Sequence, residues 1–174
     1  PSDGVSTWRA VEAAAAIQGP VYVRTGRPKT RVIYAGEEKF EVGKCKVLRR
    51  SDKDRLTLVA AGATVFEALK AHDVLAQEGI AVRVIDLYSV QPIDQAALRD
   101  SAHATGGLVI TVEDHYAHGG IGDAVLAALA EDRVEVHKLA VRDIPHSGKP
   151  DELLDRFGIS SRAIVEKVRE VVKS

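Results

Sequence analysis

From Arg55 onward, hydrophobic and polar positions alternate between two regular patterns. Short apolar runs recur at Leu56–Ala61, Val82–Leu87, Leu108–Val112 and Val134–Val141, each reading as a strand. Between them, apolar residues fall at helical spacing over Thr64–Gln77, from Pro92-Ile93-Asp94 to about His103, and over Ile121–Ala130 after Gly119-Gly120. Two short helices close the chain, near Asp151–Phe157 and Ser160–Val172. Strands alternating with helices of this length imply parallel βαβ units with right-handed crossovers. The strands are nearly continuous apolar runs, as expected when helices cover both faces of a sheet. The predicted fold class is α/β: a small doubly wound, mainly parallel sheet with helices on both faces.

The pattern before Arg55 is weaker. Val5, Trp8, Val11, Glu12 and Ala15 sit at helical intervals within an alanine-rich stretch over residues 5–17, which Gly19-Pro20 stops. Val21-Tyr22-Val23 reads as a short buried strand, and Thr25-Gly26-Arg27-Pro28 as the turn after it. Lys29 to Lys44 shows no sustained periodicity and reads as a linker or extended crossover, and Cys45 to Arg49 as an edge strand. These patterns divide the chain into an incomplete helix–strand segment over residues 1–30, a linker over 31–48 and the regular domain over 49–174.

Composition narrows the function classes. The 174 residues are 45% hydrophobic and 28% charged with a formal net charge of −1, which reads as soluble and globular. That balance supplies no basic field for nucleic acid and no polybasic anchor for a membrane. No apolar run is long enough to span a bilayer, and residues 1–20 do not look like a signal peptide. Cys45 is the only cysteine, so no intrachain disulfide forms, which is compatible with a reducing cytoplasm. A chain opening at Pro1-Ser2-Asp3-Gly4 fits a processed or excised fragment as well as loss of an initiator methionine.

Each chemical candidate has a plain structural alternative. Gly62 follows the first regular strand, yet Ala60-Ala61-Gly62-Ala63-Thr64 has one glycine where a dinucleotide turn needs several. A simple βα turn capped by Thr64 is the preferred reading. Glu113-Asp114-His115-Tyr116-Ala117-His118-Gly119-Gly120 gathers acids, imidazoles and glycines beyond a strand's C-terminal end, where ligands of open α/β sheets collect. A metal there would need Glu113, His115 and His118 to converge; a polar loop whose glycines let the next helix pack closely is preferred. His72 shares a helical face with Val65, Ala68, Leu69 and Ala76 and reads as a satisfied side chain. Cys45 lies between Lys44 and Lys46, which favour a lowered pKa, but no partnered histidine supports a nucleophile. Asp3 precedes a helix and reads first as an N-cap; Arg24 ends a strand and reads as a surface ion pair or as a phosphate-gripping fork.

Four stretches together resemble transketolase, in order and across essentially the whole chain. Pro1-Ser2-Asp3-Gly4 with its alanine-rich helix resembles the late part of that family's pyrimidine-binding domain. Gly19-Pro20-Val21-Tyr22-Val23-Arg24-Thr25-Gly26-Arg27-Pro28 resembles the same domain's closing strand and turn. Thr111–Tyr116 with Gly119-Gly120-Ile121-Gly122 is similar to the third strand–loop–helix of the C-terminal domain. Ser147-Gly148-Lys149-Pro150-Asp151-Glu152-Leu153-Leu154, ending at Phe157-Gly158-Ile159, resembles the tail of the animal- and archaeal-like branch.

The resemblance makes residues 1–30 the end of a pyrimidine-binding domain and 49–174 a C-terminal domain. Transketolases move two-carbon ketol units between sugar phosphates in the pentose phosphate pathway, using thiamine diphosphate and a divalent metal (Mg or Ca) at a dimer interface. It implies that Asp3 contacts substrate hydroxyls and Arg24 substrate phosphate, both facing the side left open by the rest of the domain. The cofactor- and metal-binding motif and the catalytic groups of the family are not in this sequence. The resemblance therefore implies no catalytic, cofactor-binding or metal-binding residue here. It implies an inactive isolated chain that supports the dimer, with the remainder of the chain or an N-terminal subunit as partner, in the cytoplasm. A β-type chain of a 2-oxoacid dehydrogenase and a non-catalytic stand-alone interaction domain are the alternatives; the tail motif argues against the first.

Overall fold

The computed structural model describes residues 1–27 and 29–173. Five strands form one sheet in the order β1-β3-β2-β4-β5, with β1 Lys46–Arg49, β2 Thr57–Ala60, β3 Arg83–Asp86, β4 Leu108–Tyr116 and β5 Glu135–Val141. The three pairings that do not involve β1 are parallel, whereas β1 runs antiparallel along β3 with Val47 opposite Ile85. Six helices accompany them: α1 Gly4–Ala15, α2 Thr64–Gln77, α3 Gln95–Ala104, α4 Ile121–Ala128, α5 Pro150–Arg156 and α6 Ser161–Lys173.

Period-two alternation along the strands sorts the core into two layers. Leu58, Ala60, Ile110 and Val112 point to one face and pack with Val65, Leu69 and Leu75 of α2 and Ile164 and Val168 of α6. Val59, Ile85 and Val109 point to the other, against Leu98 and Ala102 of α3 and Ile121 and Val125 of α4. Helices thus cover both faces, which is why the strands read as unbroken apolar runs.

Gly107 opens β4 at φ +83°, and a Cβ there would lie 2.8 Å from the Arg133 carbonyl. This close approach lets Glu135 N–H reach the Gly107 carbonyl at 2.7 Å and sets the β4–β5 register.

Three details differ from the sequence patterns. Val21–Val23 forms no strand, because no other strand runs beside it among the described residues and a lone strand has nowhere to place its N–H and C=O groups. Val21 and Tyr22 are accordingly 43% and 87% exposed. The expected turn at residues 25–28 lies partly outside the described residues, at Pro28. The edge strand expected over Cys45 to Arg49 is present as β1, antiparallel to β3, and it takes residues 46–48 out of the stretch 31–48 read as a linker. Finally, Thr64 is not the cap of α2: Ala63 holds that position, and the Thr64 hydroxyl donates instead to the Val112 carbonyl at 2.7 Å.

Candidate functional site

Residues 1–6 dock at the C-terminal ends of the parallel strands through a buried polar knot. Asp3 caps α1: its Oδ1 accepts from Ser6 N at 2.7 Å, and Ser6 Oγ accepts in return from Asp3 N at 2.9 Å. Asp3 Oδ2 accepts from the backbone N–H groups of Ile33 at 2.8 Å and Tyr34 at 3.2 Å. Burial pushes the Asp3 carboxyl upward, but the N–H groups of Ser6, Ile33 and Tyr34 outweigh it and hold the group below its usual range.

Asp86, at the end of β3, is the base of the knot and fully buried. Its Oδ2 accepts from the Ser2 hydroxyl and from the Tyr34 hydroxyl, the latter at 2.8 Å, while Oδ1 has no partner. Burial drives the Asp86 pKa up, only partly opposed by the two hydroxyls. The same burial, with Asp86 opposite, drives the Tyr34 hydroxyl well above its ordinary value.

The resemblance implies that Asp3 and Arg24 face one open side; in the structure the two have different partners. Asp3 is 2% exposed and committed to backbone groups. Arg24 is accessible, with 58% of its side-chain surface exposed, but it lies on the sheet domain in a forked ion pair with Asp114. The two bonds of the fork are 3.1 and 3.2 Å. The surface ion pair set beside the phosphate reading of Arg24 is therefore present.

The glycine loop after β4 is filled by the chain's own side chains. The parallel strands reverse their order of addition between β2 and β4, a place where α/β sheets commonly bind ligands. Here the Thr64 hydroxyl bridges to Val112, and the Glu113 carboxylate accepts from Ile121 N at 2.7 Å and Gly122 N at 3.1 Å. Glu113 thus occupies the anion-seeking N-terminus of α4. A Cβ at Gly120 would lie 1.8 Å from Glu113 Oε2, and one at Gly122 would lie 2.9 Å from Oε1. The glycines therefore admit an internal carboxylate. Burial raises the Glu113 pKa, and the two N–H bonds pull it back only in part. Lys138 donates to the Ala117 carbonyl at 2.7 Å and to Asp123 at 2.6 Å, fastening the loop from the far side.

The remaining candidates have structural surroundings. His115 bonds the Tyr116 carbonyl, and no group of three or more His, Cys, Asp or Glu among the described residues is arranged to hold a metal ion. His72 is partly buried beside Asp73 at 3.1 Å. The lowered pKa favoured for Cys45 is not found: burial, then Asp94 and Asp86, push the thiol up to about 12, and Lys44 opposes them only weakly. Sequence reasoning missed Asp86 and Tyr34. A lone aspartate ending a strand carries no local signal, and its partners lie 84 and 52 residues away.

Comparison with known proteins follows this geometry. Residues 43–164 match the model of the transketolase C-terminal domain. Transketolase-like protein 1 of Bos taurus is 53% identical over 99% of this chain, and transketolase of Mus musculus is 48% identical over 99%. A solved structure described as a split-gene transketolase, an inactive β4 tetramer, superposes with a TM-score of 0.93 at 38% identity, covering 99% of this chain and 56% of that one. The chain spans 29% and 28% of the lengths of the bovine and mouse proteins.

Proposed function

This chain belongs to the transketolase family, carrying its C-terminal domain, and we propose that it is the C-terminal part of an enzyme moving two-carbon ketol units between sugar phosphates. The parent enzyme uses thiamine diphosphate and a divalent metal, Mg or Ca, with the cofactor supplying the carbanion chemistry. No residue of this chain is assigned to the cofactor or the metal. The chain acts with the remainder of the polypeptide or with a separate N-terminal subunit, supports a homodimer in the cytoplasm, and is inactive alone.

One observation carries this reading. The N-terminal stretch has the likeness of a domain's end without the domain: Trp8, Val11 and Tyr22 are 56%, 51% and 87% exposed. The same stretch is included in the match to the split-gene chain. Within the site, Arg24 is assigned to the substrate phosphate, since a planar guanidinium grips phosphate through two parallel bonds. Asp3 is first a helix cap. The acceptor position left on its Oδ1 is assigned to a substrate hydroxyl in the assembled enzyme.

The test is reconstitution. The chain alone is expected to give a flat calorimetric titration with thiamine diphosphate and magnesium, and no ketol transfer. Addition of the N-terminal part of a transketolase is expected to produce both. Micromolar cofactor binding by the chain alone, or a mixture that associates without activity, would overturn the reading.

A further inference from the structure

Hydrogen bonds fasten the described residues between Gln18 and Val32 at one point. Among the described residues, its only hydrogen bonds are the two of the Arg24–Asp114 fork. The fork reaches across 90 residues and joins the exposed N-terminal stretch to the loop after β4. No other cation pairs with Asp114 among the described residues, since Lys138 is committed to Ala117 and Asp123. The neighbouring Glu113 is committed to the N-terminus of α4 and is no rival for Arg24. Both partners of the fork are substantially exposed, at 58% and 39% of their side-chain surface. An exposed pair of this kind shifts an equilibrium by at most about five-fold.

A carboxylate offers a guanidinium the same pair of acceptor oxygens that a phosphate does. We propose that Asp114 is an internal anion that parks Arg24, occupying its fork in the free chain and giving it up to the phosphate of an incoming sugar phosphate. This rests on the phosphate role given to Arg24 above. The exchange needs no new cation, because one fork serves both anions in turn. It also has a mechanical result. Breaking the fork removes the only hydrogen bonds that residues 18–32 make among the described residues, so the arrival of phosphate is coupled to loosening of that stretch from the sheet domain. Asp114 is a positioning residue that acts through Arg24 and weakens phosphate binding by competition.

The experiment titrates the chain with inorganic phosphate, against chloride at matched ionic strength, following the Arg24 side-chain N–H resonance and the backbone heteronuclear NOE over residues 18–32. Asp114→Asn keeps the shape and removes the charge. It is expected to lower the half-saturating phosphate by about two- to five-fold. It is also expected to raise backbone mobility through 18–32, read as lower heteronuclear NOE values, before any phosphate is added. Asp114→Glu should return both readouts toward the parent, and Arg24→Ala should abolish the phosphate response. If Asp114→Asn titrates like the parent while Arg24→Ala abolishes the response, parking is wrong and the phosphate role of Arg24 stands. If Arg24→Ala leaves the response intact, if no variant responds, or if chloride acts as phosphate does, the phosphate role itself fails and parking with it.

Discussion

Residues 1–45 and 46–173 are built on opposite terms. The second region buries its apolar side chains in two layers, with Leu58, Val59, Ile85 and Ile110 at 0% exposure. The first leaves Trp8, Val11, Val21, Tyr22 and Val32 between 43% and 87% exposed and is attached mainly through the Asp3–Tyr34–Asp86 knot and the Arg24–Asp114 fork, with a small apolar contact where Ile33 packs on the core and Phe40 meets Tyr34 and Tyr88 edge-on. Hydrophobic burial is non-directional and scales with area, whereas a polar attachment depends on a few atoms being in place. The contrast separates a domain that stands by its own core from a stretch that leaves much of its apolar surface exposed.

The largest effect expected from this contrast lies in the sheet domain. Ile110 is fully buried at mid-sheet, so Ile110→Ala loses transfer energy and leaves a cavity, costing about 2–5 kcal/mol. Urea unfolding should show a lower midpoint with the slope retained. A cost under about 0.5 kcal/mol, the size expected of an ordinary surface change, would mean that the central sheet is not the source of stability.

Asp3→Ala comes next. It removes an N-cap, worth about 1 kcal/mol, and strips the Ile33 and Tyr34 N–H groups of their shared acceptor. With the desolvation of those two groups, the total is on the order of 2 kcal/mol. Amide exchange should rise at Ile33 and Tyr34 while the sheet amides keep their protection. Equal loss of protection in both regions would mean that the two do not part as separate units.

How much of this was legible in the sequence follows the same division. The α2 range Thr64–Gln77 was legible to the residue, and β2 to β5 were legible because each apolar run is its own local record. β4 continues past Val112 to Tyr116, where Glu113, Asp114 and His115 mask a strand whose pairing with β5 resumes at Tyr116 only after a register shift. The knot left no such record. Ser2, Tyr34 and Asp86 are ordinary residues in three separate stretches, and only the fold makes them neighbours. Val21–Val23 shows the reverse error: its composition favours a strand, but pairing requires a partner that local pattern does not supply.

The two acids of the knot provide a pH test in which their signs differ. Asp86 has a native pKa above its unfolded value, so its contribution is fully present below about pH 3.9 and is lost as pH rises through the native value. Asp3 has a depressed native pKa; its contribution is present above about pH 3.9 and lost as pH falls through the native value. Asp86→Asn keeps an acceptor for Ser2 and Tyr34 and does not titrate. Its stability relative to the parent should therefore improve as pH rises from about 4, by roughly 1.4 kcal/mol for each unit by which the native pKa stands above the unfolded one, once pH exceeds both. A difference that is flat with pH, or that runs the other way, would show that Asp86 is not a desolvated carboxylate.

The smallest effect is the most telling for the N-terminal stretch. Trp8 is 56% exposed and makes its recognised contact with Arg9, whose guanidinium lies 4.5 Å from the ring centroid. A large aromatic that contributed to the chain's own core would cost about 3–5 kcal/mol on truncation. Exposed as it is, Trp8→Ala should change the stability of the isolated chain by less than about 0.5 kcal/mol. In the reconstituted enzyme the same ring is expected to be covered by the N-terminal part. Buried aromatic anchors at interfaces cost about 2 kcal/mol or more when truncated, which is roughly thirty-fold in the dissociation constant. The pair of measurements is chemical denaturation of the chain alone and a titration of its association with the N-terminal part. A stability loss in the chain alone would place Trp8 in its own core and remove the contrast between the regions. An unchanged association would leave α1 exposed in the assembled enzyme and move the contact to Tyr22 and Val32, the other apolar side chains of that stretch more than half exposed, besides Val11 of α1 itself.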